Sequence, residues 1–139
     1  MTNEASSISA PLPALATGGV RTVLRLEGLA ALVIATAAYF TGGGTLWLFA
    51  VLFFAPDISF AAYTVNSRVG AAAYNVAHSY VSAALLAGAG WLLGAELLVH
   101  LALILAAHIG FDRTLGYGLK YAAGFSHTHL GPVGKSRKG

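Results

Sequence analysis

The sequence predicts an all-α protein, a membrane-spanning four-helix bundle with short turns, and three observations carry that reading. Hydrophobic residues make up 57% of the 139 and charged residues only 9%, against about a quarter charged in a soluble globular domain. Four apolar stretches are long enough to cross a hydrocarbon core of roughly 30 Å. All eight Lys and Arg lie at the start of the first stretch, between the second and third, or at and beyond the end of the fourth. A soluble bundle would need a charged face on every helix, and these helices have almost none.

Residues 1–19 carry Glu4 and no basic residue before Arg21, the wrong charge pattern for a signal peptide. Their Ser, Pro and Gly content predicts a disordered cytoplasmic tail. The four-span domain then occupies 20–120. Its first helix, 20–41, starts with Arg21 and Arg25 one turn apart, where they reach lipid headgroups, and stops at Gly42-Gly43-Gly44. A second, 45–65, is interrupted by Pro56, which removes a backbone donor and predicts a kink beside Asp57. After the polar turn 66–70 comes a third helix, 71–93, with Tyr74, Asn75, His78 and Tyr80 near its start and a run of Ala and Gly that suits close helix packing. A tight turn at Gly94-Ala95 leads to the fourth, 96–115. The remainder, 121–139, reads as a basic cytoplasmic tail containing His127 and His129, spaced to chelate a metal weakly.

Two basic residues lie at the start of the first span, one lies between the second and third, and five lie at or beyond the end of the fourth. The positive-inside bias therefore predicts four passes with both termini in the cytoplasm. The same bias accounts for the net charge of +3 without a nucleic-acid partner; the partner expected is the lipid bilayer, with a homo-oligomer or a larger membrane complex compatible with it. Cys is absent, which removes disulfides and thiolate metal ligands. Trp47, Trp91 and His100 fall at the far interface, where anchoring accounts for them.

Converting sequence position to depth places Glu27, Asp57, His78 and His108 each roughly 9–12 Å inside the cytoplasmic ends of their helices, with Asp112 about a turn shallower. Ionisable groups inside a span usually face the bundle interior, paired or wet, so a shared polar cluster is expected. Asn75 and His78 stand i, i+3 on one helix, and His108 and Asp112 stand i, i+4 on another. Three uses fit. His78, His108, Asp57 and Asp112 are ligands suited to a divalent metal such as Zn, Fe or Mn, with Asn75 behind them, although the chain has no HExxH, ExxH or HxxxH motif. Alternatively the cluster only locks helices together, an Asp neutralising Arg113 and the histidines bonding freed carbonyls or phenols, as in a structural or accessory subunit. A third use is lipid modification, with His108, Asp112 and Arg113 as the catalytic candidates and Lys120 gripping a headgroup.

Five segments together, LRLEG at 24–28, APDIS at 55–59, YNVAHSY at 74–80, AHIGFDRTLGYGLKY at 107–121 and THLG at 128–131, resemble a bacterial family of small membrane proteins, the domain of unknown function 4260. The resemblance spans about 23–131. It implies a four-span protein of the bacterial inner membrane and supplies no activity. Its pattern falls on Glu27, Asp57, Asn75, His78, His108, Asp112, Arg113, Tyr117, Lys120 and His129. His127 stands where that pattern has an acidic residue, which weakens a His127/His129 chelate.

Overall fold

The computed structural model describes residues 15–122 and 126–133, so the expected tail over 1–14 and the basic end over 134–139 lie outside the described residues. Within them the chain is mostly helical. Helix α1 (Gly18–Thr41) is closed by Gly42, and at 1.5 Å per residue it is roughly 36 Å long. Helix α2 (Leu46–Phe53) gives way at Phe54 to a 3-10 helix, Ala55–Thr64. The expected kink at Pro56 thus takes the form of a change of helix type. Pro56 has no N–H to offer the carbonyl one turn back, and the amide of Asp57 bonds the Phe54 carbonyl three residues earlier at 3.1 Å.

The third helix differs from its expected 71–93. It begins earlier, as α3 (Ser67–Ala77), where the Asn66 side chain accepts from the Val69 amide at 2.9 Å, and it breaks at His78 before resuming as α4 (Tyr80–Leu93). The two pieces are bent by 47°. Ser79 provides the local cause, its hydroxyl accepting from the Val81 amide at 3.1 Å as a fresh N-cap. Arg113 provides the tertiary one: its guanidinium donates to the His78 carbonyl at 2.9 Å, which caps the C-terminal end of α3 with a cation.

A left-handed Gly94 turns α4 into α5 (Glu96–Leu115), whose bounds are those expected. Gly116, at φ 93°, ends α5: the Tyr117 amide reaches back to Asp112 O at 2.8 Å and the Gly116 amide to Arg113 O at 3.0 Å, a Schellman closure. Helices α1 and α5 share the most extensive contact and cross where Gly28 meets Gly110. A Cβ at 110 would lie 2.6 Å from both the Gly28 carbonyl and the Leu32 amide, so only glycine permits this approach.

Beyond α5 the described part of the C-terminal segment folds back on the helices. Lys120 bridges Thr128, and β1 (His127–Thr128) pairs antiparallel with β2 (Gly131–Pro132). Asn75 holds this segment with both ends of its amide, donating to Lys120 O at 2.8 Å and accepting from Lys120 N at 2.7 Å.

Three helical stretches, Gly18–Thr41, Leu46–Thr64 and Glu96–Leu115, are long and apolar enough to cross a membrane, and the bent pair α3–α4 makes a fourth if it counts as one span. The distribution of side chains is inverted relative to a water-soluble protein. Trp91 is 80% exposed and Leu46 72%, while His78, His108, Asp112, Arg113 and Lys120 are buried. Water does not favour such an arrangement; an apolar solvent does.

Candidate metal centre

The change of helix type at residues 54–57 and the break at 78–79 do the same job. Each interrupts a helix at a polar residue and lets that side chain turn toward α5, which presents His108 and Asp112 one turn apart. Four ligand atoms converge there, all within 4.8 Å of one another: one oxygen each from Asp57 and Asp112, and one nitrogen each from His78 and His108. His78 Nε2 lies 3.2 Å from His108 Nε2, 3.3 Å from Asp57 Oδ1 and 3.5 Å from Asp112 Oδ2. His108 Nε2 lies 3.4 Å from Asp57 Oδ1 and 3.7 Å from Asp112 Oδ2. Metal–ligand bonds of 2.0–2.2 Å in a tetrahedron set the ligand atoms roughly 3.3–3.6 Å apart. Five of the cluster's six edges, 3.2 to 3.7 Å, bracket that range.

Proton bookkeeping points the same way. His78 Nδ1 is 3.0 Å from the Tyr74 carbonyl, an acceptor only, so the ring proton belongs on Nδ1 and Nε2 turns a lone pair inward. The Tyr74 hydroxyl donates to Asp112 Oδ2 at 3.3 Å. Three acceptors, two of them carboxylates, then face a single ring nitrogen of His108 that can bring one proton. A divalent cation satisfies all four atoms and cancels both carboxylate charges, which a buried site requires.

One feature runs against ligation. His108 Nδ1 is buried with no hydrogen-bond partner among the described residues, so a metal on Nε2 leaves an unpaired Nδ1–H. That costs about 1–3 kcal/mol, well below the roughly 10–16 kcal/mol that structural zinc contributes in small domains.

The surroundings hold the ligands rigidly. The Tyr74 ring stacks on His78 at 3.8 Å and 13°, and Phe60 stacks on Tyr74 in turn. Phe53 packs edge-on to His108 at 5.3 Å. Of these rings only Tyr74 stands out in the sequence, as a polar residue near the start of the third helix; nothing there singles out Phe53 or Phe60.

The other expected site residues divide into two groups. Arg113 forms no ion pair with an aspartate among the described residues; its guanidinium donates to the Tyr117 carbonyl at 2.7 Å and to His78 O, which sets aside its neutralisation by Asp57 or Asp112. Asn75 clamps the return segment, and Tyr117 is 41% exposed at the mouth of the cavity described below. Glu27 does not join the cluster. It is exposed on α1 and borders a separate groove with Tyr80, Arg113 and His129. The reason is angular: Gly28 is the α1 residue that faces α5, and its neighbour is turned about 100° away.

His129 Nδ1 accepts from the Leu119 amide at 2.9 Å, which leaves Nε2 as its one remaining ligand atom, while His127 is exposed. Burial, with Arg113 nearby, holds the His129 imidazole below its usual pKa. Lys120 is also buried, its ammonium 4.7 Å over the Tyr74 ring; burial pulls its pKa down and Asp112 partly offsets this.

A cavity of about 450 Å³ opens beside the cluster. Asp57, His108 and Asp112 border it, together with Lys120 and the rings of Phe54, Phe60 and Phe111, while His78 closes the cluster from behind.

Fold and centre together define a class: a small helical protein with an apolar exterior and a buried two-histidine, two-aspartate cluster. Residues 21–133 match the family described as a domain of unknown function, DUF4260, and the chain belongs to that family. The comparisons with curated proteins and with solved structures found no match.

Proposed function

We propose that this is a four-span metalloprotein of the bacterial inner membrane, with both termini cytoplasmic and one divalent metal held by Asp57, His78, His108 and Asp112 in the cytoplasmic half. The observation that carries the metal reading is the convergence of two imidazole nitrogens and two carboxylate oxygens, five of whose separations run from 3.2 to 3.7 Å, close to the edges of a ligand set around one ion. Two carboxylates and two neutral imidazoles around a divalent ion make a site of zero net charge, which suits a largely buried position. Among Zn, Fe and Mn, Zn is the ion with a strong preference for four-coordination by imidazole and carboxylate. The four-span reading is supported by the apolar lengths and by the side on which the basic residues fall.

Metal analysis of the full chain, purified in neutral detergent without added chelator, tests the centre. One equivalent of a divalent transition metal per chain is expected, and a protein that takes up none when offered Zn, Mn or Fe contradicts it. Because the chain has no Cys, single introduced cysteines report topology cleanly. Ser67→Cys and Ser136→Cys are expected to react with an impermeant reagent only from the cytoplasmic side, and Thr45→Cys and Ala95→Cys only from the other. Reaction of all four from one side overturns the four-span reading.

A further inference from the structure

We infer that the cavity beside the centre binds an anionic amphiphile, whose phosphate or carboxylate head reaches the metal and Lys120 while its apolar body lies along Phe54, Phe60 and Phe111. This rests on the metal reading and goes beyond it.

The first support is which ligands border the cavity. Three of the four do, and the fourth, His78, lies behind them. A metal held by these four residues would be reached from the cavity on the side of Asp57, His108 and Asp112, and zinc tolerates expansion to five-coordination. Asp57 is the ligand best placed to yield, since its side chain is 36% exposed whereas the other three are buried.

Charge supplies the second support. The loaded centre is neutral, so it offers an anion a coordination position and no net attraction; the attraction comes from Lys120, which borders the same cavity. The ammonium is held over Tyr74, whose hydroxyl bonds the metal ligand Asp112, so cation and metal are one side chain apart. A cationic head in this cavity would meet Lys120 and a metal together.

The third support is the wall. Phe54, Phe60, Phe111 and Val133 line it, and a cavity of about 450 Å³ is in the range that encloses a small organic ligand, much larger than a bare inorganic anion needs. A head group alone would leave these rings uncovered. The shared chemistry, an anionic head on an apolar body, belongs equally to a soluble amphiphile and to the headgroup end of an anionic lipid.

Hexyl phosphate, hexanoate, inorganic phosphate and hexyltrimethylammonium are the probes, titrated calorimetrically into the zinc-loaded full chain in neutral detergent. Hexyl phosphate or hexanoate is expected to bind at least about tenfold more tightly than inorganic phosphate, and hexyltrimethylammonium not measurably. Lys120→Gln is expected to weaken the anionic probe about tenfold with its metal content unchanged. The side chain of Lys120 can be altered without touching the Asn75 clamp, which uses only the backbone of Lys120.

Repeating the titration in nanodiscs containing phosphatidic acid separates the sources. Competition by the lipid identifies a headgroup site, and undiminished binding identifies a soluble ligand. If the wild-type chain holds no metal, the centre and this inference fall together. If it holds one equivalent but binds hexyl phosphate and hexanoate no better than inorganic phosphate, or binds them equally in Lys120→Gln, the centre stands and the amphiphile site falls.

Discussion

His100 and His108 lie on the same helix, two turns apart, and their surroundings could hardly differ more. His100 Nε2 is 3.1 Å from the Gly42 carbonyl and its ring packs against Tyr39, whose hydroxyl donates to the Thr45 carbonyl at 2.9 Å. Both of these side chains meet a neutral backbone carbonyl. At the other end His108 faces two carboxylates and a second imidazole, with fewer protons than acceptors. A histidine with one carbonyl partner closes a turn between helices. One whose partners are all acceptors is short of a positive charge, and that shortage separates a binding centre from packing.

The sharpest way to break this contrast is to remove one histidine from each end. His78→Ala or His108→Ala is expected to weaken zinc binding by more than about 100-fold, judging by the 10–100-fold cost of losing mere outer-shell partners, as read by competition with a chromogenic chelator. His100→Ala is expected to leave metal content unchanged and to lower stability by about 1 kcal/mol, the worth of one ordinary hydrogen bond, in thermal denaturation. Equal metal loss in all three would erase the distinction between the two ends.

A smaller effect sharpens it. Tyr74→Phe keeps the ring stacked on His78 and removes the hydroxyl that donates to Asp112, so zinc affinity is expected to fall about tenfold. Tyr39→Phe, the matching deletion at the other end, is expected to leave zinc affinity alone. A Tyr74→Phe protein with wild-type affinity would mean that the phenol only fills space.

The smallest effect concerns the return segment. The imidazole of His129 is held below its ordinary pKa by burial first and by Arg113 second. The unfolded chain therefore binds a proton that the folded chain refuses, and the neutral imidazole favours folding most above the unfolded pKa. As pH falls through about 6.5, that contribution is lost. His129→Gln is expected to flatten the acid slope of thermal stability below about pH 6.5, measured against wild type with EDTA in both samples; an unchanged slope would assign it to other groups.

A meeting of polar side chains was legible in the sequence, and the direction each one takes was not. The 1.5 Å ruler brings Asp57, His78 and His108 to one level, and the structure sets these three beside Asp112. Glu27 shares their depth and points elsewhere, because the ruler carries no angle and the Gly28–Gly110 crossing that fixes the rotation of α1 is a tertiary contact. His78 is a more instructive case. Its helix starts at Ser67 rather than 71 and ends at Ala77, so the ring reaches the cluster from a cap and not from a helix face.

The signals for that break were present in Ser79, an N-cap residue inside an apolar run, but a capping serine is commonplace and only the Arg113 bond to His78 O makes it decisive. Helix α5 shows the opposite case. Its ends follow from Gly94 and Gly116, both at positive φ, and its bounds are those expected. The fold of 126–133 left no periodic signal, since it depends on Asn75 gripping the backbone of Lys120 from 45 residues away.

The most direct measurement is X-ray absorption at the zinc edge on the loaded full chain. The account predicts a first shell of two imidazole nitrogens and two oxygens at about 2.0–2.1 Å, with the outer-ring scattering of imidazole, lost together with the metal in the His78→Ala/His108→Ala double variant. A shell without imidazole, or a metal retained unchanged in the double variant, would contradict it.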